Sequence, residues 1–306
     1  VYVVQTPGPV RDSDNDLVLC VHGMAGAATN WTDFMAELAP EFACQAIDLP
    51  GSGHSPAPKE RRGYSVPALA RTVAALIEQD NGGPVHLVGN SMGGAVAVRL
   101  AATRPDLVRT LTLISPALPD PLLRPTVTQL EFPLLAVPKL GEALIRHGNP
   151  SPEQRVAGVI AACFYDPRSV HPDRFAAEVA EVRRRDELGY AGAVLIGAAR
   201  AIVTEYLRPG PAALWRLAGR VQVPVLAIYG RDDQLVNVRM ASRAARAFRD
   251  VRVIVLPRTG HVAQLEHPAL VAARFREIVE RARALERGRG MPGAAPRLTP
   301  NEVHST

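Results

Sequence analysis

Ser91 sits in the run VHLVGNSMGGAVAVRLAA, at a point where a serine can serve as a nucleophile. Residues 85–88 form a short apolar run of strand type, whereas Ala95, Val98 and Ala102 recur at helical spacing, so Ser91 falls at a strand-to-helix turn. Gly89, Ser91 and Gly93 satisfy G-x-S-x-G, the sharp turn whose strained backbone lifts a serine Oγ clear of its sheet. Alone, the pattern recurs by chance in about one chain of this length in ten; the flanking strand and helix give it force. A nucleophilic hydroxyl needs a base, a group that orients the base, and donors for an oxyanion. His261, on a loop opened by Gly260 behind the strand-like VRVIVLP, is the candidate base. The segment VPVLAIYGRDDQLV sets Asp232 and Asp233 behind another strand. Asp233 is the candidate for orienting the imidazole, and turn formation or helix capping is the alternative reading of both aspartates. Upstream, LVLCVHGMAGAATNW leaves a strand for a glycine-containing loop, which makes the backbone N–H groups of Met24 and Met92 the candidate oxyanion donors. His22 is read as a brace for that loop.

These residues need a frame that brings strand ends together. The runs LVLCVHG, ACQAIDLPG, VHLVGNS, RTLTLISPA, VPVLAIYG and VRVIVLP alternate with stretches of helical spacing such as 66–79 and 92–103. That alternation predicts an α/β fold with a mostly parallel sheet covered by helices on both faces. It fails between residues 119 and 221, where prolines separate amphipathic stretches typified by Phe175, Val179 and Val182. The expected organisation is therefore a core over 1–118 and 222–287, a helical insertion over 119–221 above the strand ends, and a disordered basic tail over 288–306.

At 306 residues and 47% hydrophobic content the chain can bury one large core. Its net charge of +5 is concentrated in the tail, where five arginines from Arg281 onward face two glutamates. The run Arg183–Arg185 reads as a solvated face. Neither basic stretch interleaves aromatics as a nucleic-acid groove does, so no nucleic-acid partner is expected. Cys20, Cys44 and Cys163 lie far apart without metal-type spacing, which suits small buried hydrophobes in a reducing compartment. No apolar stretch reaches the ~18 residues of a membrane span, and a cytoplasmic location is expected.

The order HG, G-x-S-x-G, G-x-x-D, GH resembles the α/β-hydrolase superfamily over about residues 18–284. In that family the acid is usually the third residue after the glycine, which implies Asp233 after Gly230, and the 119–221 insertion corresponds to the family's cap. More narrowly, GNSMGG and GHVAQLEHP resemble the meta-cleavage-product hydrolases, which split carbon–carbon bonds in ring-opened aromatic compounds. That likeness implies an active-site role for Asn90 and a substrate-binding cap cation at Arg174. Met24, Asp33 and Val262 depart from this narrower group. Three readings follow, in order. The first is a serine hydrolase without metal or cofactor, acting on an ester or thioester of a small to medium apolar substrate. The second is a carbon–carbon bond hydrolase, and the third a ligand receptor of the same fold with little turnover. Ester turnover, ring-cleavage-product turnover and binding without chemistry tell them apart.

Overall fold

The computed structural model describes residues 1–6, 17–80, 83–120, 134–147, 150–289 and 303–305. Among the described residues eight strands form one sheet: β1 (Tyr2–Gln5), β2 (Leu17–Val21), β3 (Ala43–Asp48), β4 (Val85–Asn90), β5 (Val108–Ile114), β6 (Val225–Gly230), β7 (Val251–Leu256) and β8 (Val303–Ser305). Their order is β1-β3-β2-β4-β5-β6-β7-β8, with β1 antiparallel to β3 and every other pairing parallel. Strands β2, β4 and β6 are buried along their whole length, as unbroken apolar runs require when both sheet faces are covered.

Side chains alternate across the pleat and so feed two cores. Leu17, Leu19 and Val21 join Val73 and Ile77 of α2 (Val66–Asp80) and Val96 and Leu100 of α3 (Met92–Thr103). Val18 and Cys20 point the other way, to Phe34 of α1 (Thr32–Leu38) and Phe275 of the long C-terminal helix (Pro268–Arg289). Phe34, Phe42, His86 and Phe275 meet edge to face there.

Between β5 and β6 the described residues carry helices and no strand: α4 (Leu140–His147), α5 (Pro152–Cys163), α6 (Pro172–Glu187), α7 (Ala191–Tyr206) and α8 (Leu214–Ala218). Beyond β6 come α9 (Met240–Ala247), α10 (Ala263–Glu266) and α11, the Pro268–Arg289 helix. Residues 121–133 and 148–149 of the expected insertion, and 290–302 and 306 of the expected tail, lie outside the described residues. Two elements depart from the sequence reading. Helix α11 runs to Arg289, and Val303–Ser305 pairs in parallel with β7 inside the stretch read as a disordered tail. The cause is the exposed edge of β7, whose unpaired backbone groups accept even a three-residue strand.

The chain leaves β2 for β3 on one side and returns to β4 on the other. In open parallel sheets this reversal opens a crevice at the carboxyl ends of the strands. The loop after β2 and the serine after β4 lie at that crevice, while Asp233 and His261 follow β6 and β7 at the same edge.

Candidate active site

Ser91 has φ 52° and ψ −117°, a backbone geometry that costs an L-residue of order 1–3 kcal/mol and persists only where the surroundings impose it. They do so on several sides. The Ser91 N–H donates to the Ile114 carbonyl at 3.1 Å, and the Ala117 N–H donates to the Ser91 carbonyl at 2.9 Å, so the exit of β5 grips the turn. At Gly93 a Cβ would stand 2.2 Å from the Val21 carbonyl oxygen, and at Gly89 it would stand 2.6 Å from that of Gly93. The glycines of the motif therefore mark places where backbone packs on backbone.

The loop after β2 lies against the serine: a Cβ on Gly23 would be 3.0 Å from that of Ser91. Met24 follows it, and Met92 is the first residue of α3, where an N–H has no acceptor within the helix. His22 holds this loop through both ring nitrogens. The Leu49 N–H donates to its Nε2 at 3.0 Å, which leaves Nδ1 protonated and donating to the Gly23 carbonyl at 2.7 Å. Burial pushes the His22 imidazole below its ordinary value, so it stays neutral.

Asp233 and His261 are brought together. The Asp233 carboxylate receives the His261 Nδ1–H on Oδ2 at 2.9 Å, and the N–H groups of Leu235 and Val236 on Oδ1 at 2.8 and 2.9 Å. Asp232 is exposed. Burial alone would raise the Asp233 carboxyl, but the imidazole and the N–H donors outweigh it and hold it below the ordinary carboxylate range. With Nδ1 engaged, Nε2 is the ring nitrogen left for proton transfer. The loops carrying the two residues are laced together where the Asp232 N–H donates to the Thr259 carbonyl at 3.0 Å.

Asn90 makes two structural contacts. Its buried amide nitrogen donates to the carbonyls of Ile114 and His261, each at 3.0 Å, tying the serine turn to the histidine loop. Arg174 is likewise committed, in an ion pair with Asp33 across from α6 to α1. The arginine run is a solvated face only at Arg183, which is exposed, while Arg184 and Arg185 are partly buried. Arg183 pairs with Glu153, Arg184 donates to the Gly53 carbonyl and pairs with Glu181, and Arg185 donates to the Ala25 carbonyl at 3.2 Å. Helix α6 is thereby fastened to the loops after β2 and β3. Sequence reasoning missed these contacts because the partners lie 131 and 160 residues away.

The cysteines are free, with Cys20 and Cys44 buried and Cys163 partly so. Burial raises all three thiols, Cys44 and Cys163 to about 12, which leaves little nucleophilic thiolate at neutral pH. Among the described residues a cavity of about 630 Å³ opens beside Lys139, Arg146 and Arg200 of the helical segment and Arg61 before α2, and another of about 320 Å³ among Ile160, Val170 and Phe175. Neither is lined by Ser91, Asp233 or His261.

A parallel sheet with a serine on a strained strand-to-helix turn and an Asp–His pair behind later strands defines the class: an α/β-fold hydrolase. The model of the alpha/beta hydrolase fold matches residues 16–268, and the chain belongs to that family. It is 28% identical over 285 residues to a pimeloyl-acyl-carrier-protein methyl ester esterase of Neisseria meningitidis, covering 91% of this chain and 81% of that one. Over 112 residues it is 41% identical to the lipase LipV of Mycobacterium tuberculosis, 36% of this chain and 38% of the other. The solved 2-hydroxy-6-oxo-6-phenylhexa-2,4-dienoate hydrolase of Rhodococcus sp. strain RHA1 superposes with a TM-score of 0.72 at 23% identity, covering 91% of this chain and 99% of that one. That last likeness is one of fold. Among the described residues no single helix is long and apolar enough to cross a membrane.

Proposed function

We propose that the protein is a serine hydrolase cleaving an ester or thioester of a small to medium apolar substrate through an acyl-enzyme. The single observation that carries the reading is the Asp233–His261 pair at 2.9 Å, tied through Asn90 to the strained turn that presents Ser91. In this reading Ser91 Oγ attacks the carbonyl carbon while His261 Nε2 takes its proton. The negative charge moves to the carbonyl oxygen, where the N–H groups of Met24 and Met92 receive it; one such donor is worth about 3–4 kcal/mol in the transition state. His261 then gives the proton to the departing alcohol or thiol, the acyl group stays on Ser91, and water attacks it by the same route. Asp233 fixes the tautomer and stabilises the imidazolium.

The helices between β5 and β6 serve as a cap, fastened by Arg184 and Arg185 over the strand ends. Relatives named as an esterase and a lipase support ester chemistry. A carbon–carbon hydrolase would need a cap cation for a substrate carboxylate, and the ion pair of Arg174 with Asp33 occupies the residue expected for it. The test is turnover of short p-nitrophenyl esters by the parent and by Ser91→Ala. Loss of turnover in the folded variant supports the reading; turnover at the parent rate overturns it. A panel of ring-cleavage products, turned over faster than any ester, would move the assignment to carbon–carbon hydrolysis.

A further inference from the structure

We propose that Glu266 is a positioning residue for His261, clasping the end of α5 to the loop of the base. The inference rests on the serine-hydrolase reading above. Glu266 ends the short helix α10, five residues beyond His261. Its half-buried carboxylate receives the Gly260 N–H on Oε1 at 2.7 Å and the Tyr165 N–H on Oε2 at 2.8 Å. Between these two bonds, the His261 N–H donates to the Cys163 carbonyl at 2.6 Å. Residues 163–165, at the end of α5, and residues 260–261 are thus joined by one backbone bond and one bridging carboxylate. Close approach is built in: a Cβ on Gly260 would lie 2.3 Å from the Cys163 oxygen and 2.9 Å from the Tyr165 nitrogen.

Apolar packing backs the clasp. Val262 joins Val156, Ile160 and Phe164 of the cap in one buried cluster, with Leu265 against it. Such packing resists separation but does not set register, because apolar contacts are non-directional. The carboxylate supplies direction through two charge-assisted hydrogen bonds. Burial works against it by raising the Glu266 carboxyl, and the two N–H donors pull it back. Asn90 holds the His261 carbonyl from the core side, so clasp and amide fix the base's backbone from opposite sides. The cap end is then part of what aligns Nδ1 on Asp233, and opening at this point would cost the triad its geometry.

The test compares the parent with Glu266→Ala and Glu266→Gln. Three quantities are read: the rate of Ser91 labelling by a fluorophosphonate, kcat and KM on an ester the parent turns over, and the NMR resonance of the His261 Nδ1 proton shared with Asp233. The expected result for Glu266→Ala is a labelling rate and kcat down about tenfold or more, the scale set by a misplaced catalytic group. KM stays within about threefold of the parent, and the Nδ1 resonance broadens. Glu266→Gln falls between, since its oxygen still accepts one of the two N–H groups while its amide faces the other. If the alanine variant does not fold, the glutamine variant decides by the same readouts. A folded variant that labels at the parent rate, or whose kcat loss comes with an unaltered Nδ1 resonance, overturns the proposal. A parent that does not label overturns the hydrolase reading instead, and the Nδ1 resonance then judges the clasp by itself.

Discussion

Replacing Asn90 by alanine removes both hydrogen bonds that tie the serine turn to the histidine loop. The two carbonyls do not lose equally. That of Ile114 keeps the Ser91 N–H at 3.1 Å, whereas no other donor to the buried His261 carbonyl is seen among the described residues. A buried acceptor left unmatched costs about 1–3 kcal/mol, and loss of one of two bonds about 1 kcal/mol, so the variant should be about 2–4 kcal/mol less stable. For a chain of this size that is a fall in Tm of about 4–10 °C. Freed from its tether, His261 should drift relative to Ser91, and a displacement of about 1 Å is enough for a hundredfold loss of rate. The assay pairs thermal unfolding with steady-state ester kinetics: Tm and kcat fall together while KM stays within about threefold. A raised KM at parental Tm would refute the reasoning and return Asn90 to the role of substrate contact.

Other outcomes follow from the same structure. Glu205→Ala should destabilise by about 3–5 kcal/mol in denaturant unfolding, because Arg99, 10% exposed and held at 2.5 Å, would be left as an unpaired buried charge between α3 and α7. Asp233→Asn should lower kcat by about 10⁴-fold with the fold intact, as loss of the orienting carboxylate does in comparable triads. The same substitution gives a pH test. The folded-state carboxyl of Asp233 lies below its ordinary value of 3.8, so its stabilisation is complete above that value and is lost as pH falls through the lower folded-state value. The stability gap between parent and Asp233→Asn, followed by chemical unfolding, should therefore narrow as pH falls below about 4. A gap that widens as pH falls below about 4 would contradict the assigned direction.

Much of the fold was legible because its signals are local. The six runs from LVLCV to VRVIVL are short, β-branched and closed by glycine or proline, and each forms a parallel strand. Strands β1 and β8 were not legible. YVVQ is half exposed and VHS is three residues long, so their pairing depends on the edges offered by β3 and β7 and not on any pattern of their own. At the site, residue types and order singled out Ser91, Asp233 and His261, while choosing Asp233 over its neighbour needed the family's spacing; burial and the imidazole contact separate the two in the structure. Sequence could not show what Asn90, Arg174 and Arg185 touch, since their partners are brought by tertiary folding from 24 to 171 residues away. Glu266 left a faint signal: a carboxylate placed just after the VAQL that follows Gly260-His261.

The central claim is that Ser91 is an activated nucleophile. Its most direct test is labelling of the purified protein by a fluorophosphonate, with the modified residue located by peptide mass mapping and Ser91→Ala and His261→Ala measured alongside. The account predicts a single adduct on Ser91, none in the folded serine variant, and strongly slowed labelling in the histidine variant. A folded parent that takes no label, or one whose label persists in Ser91→Ala, would contradict it.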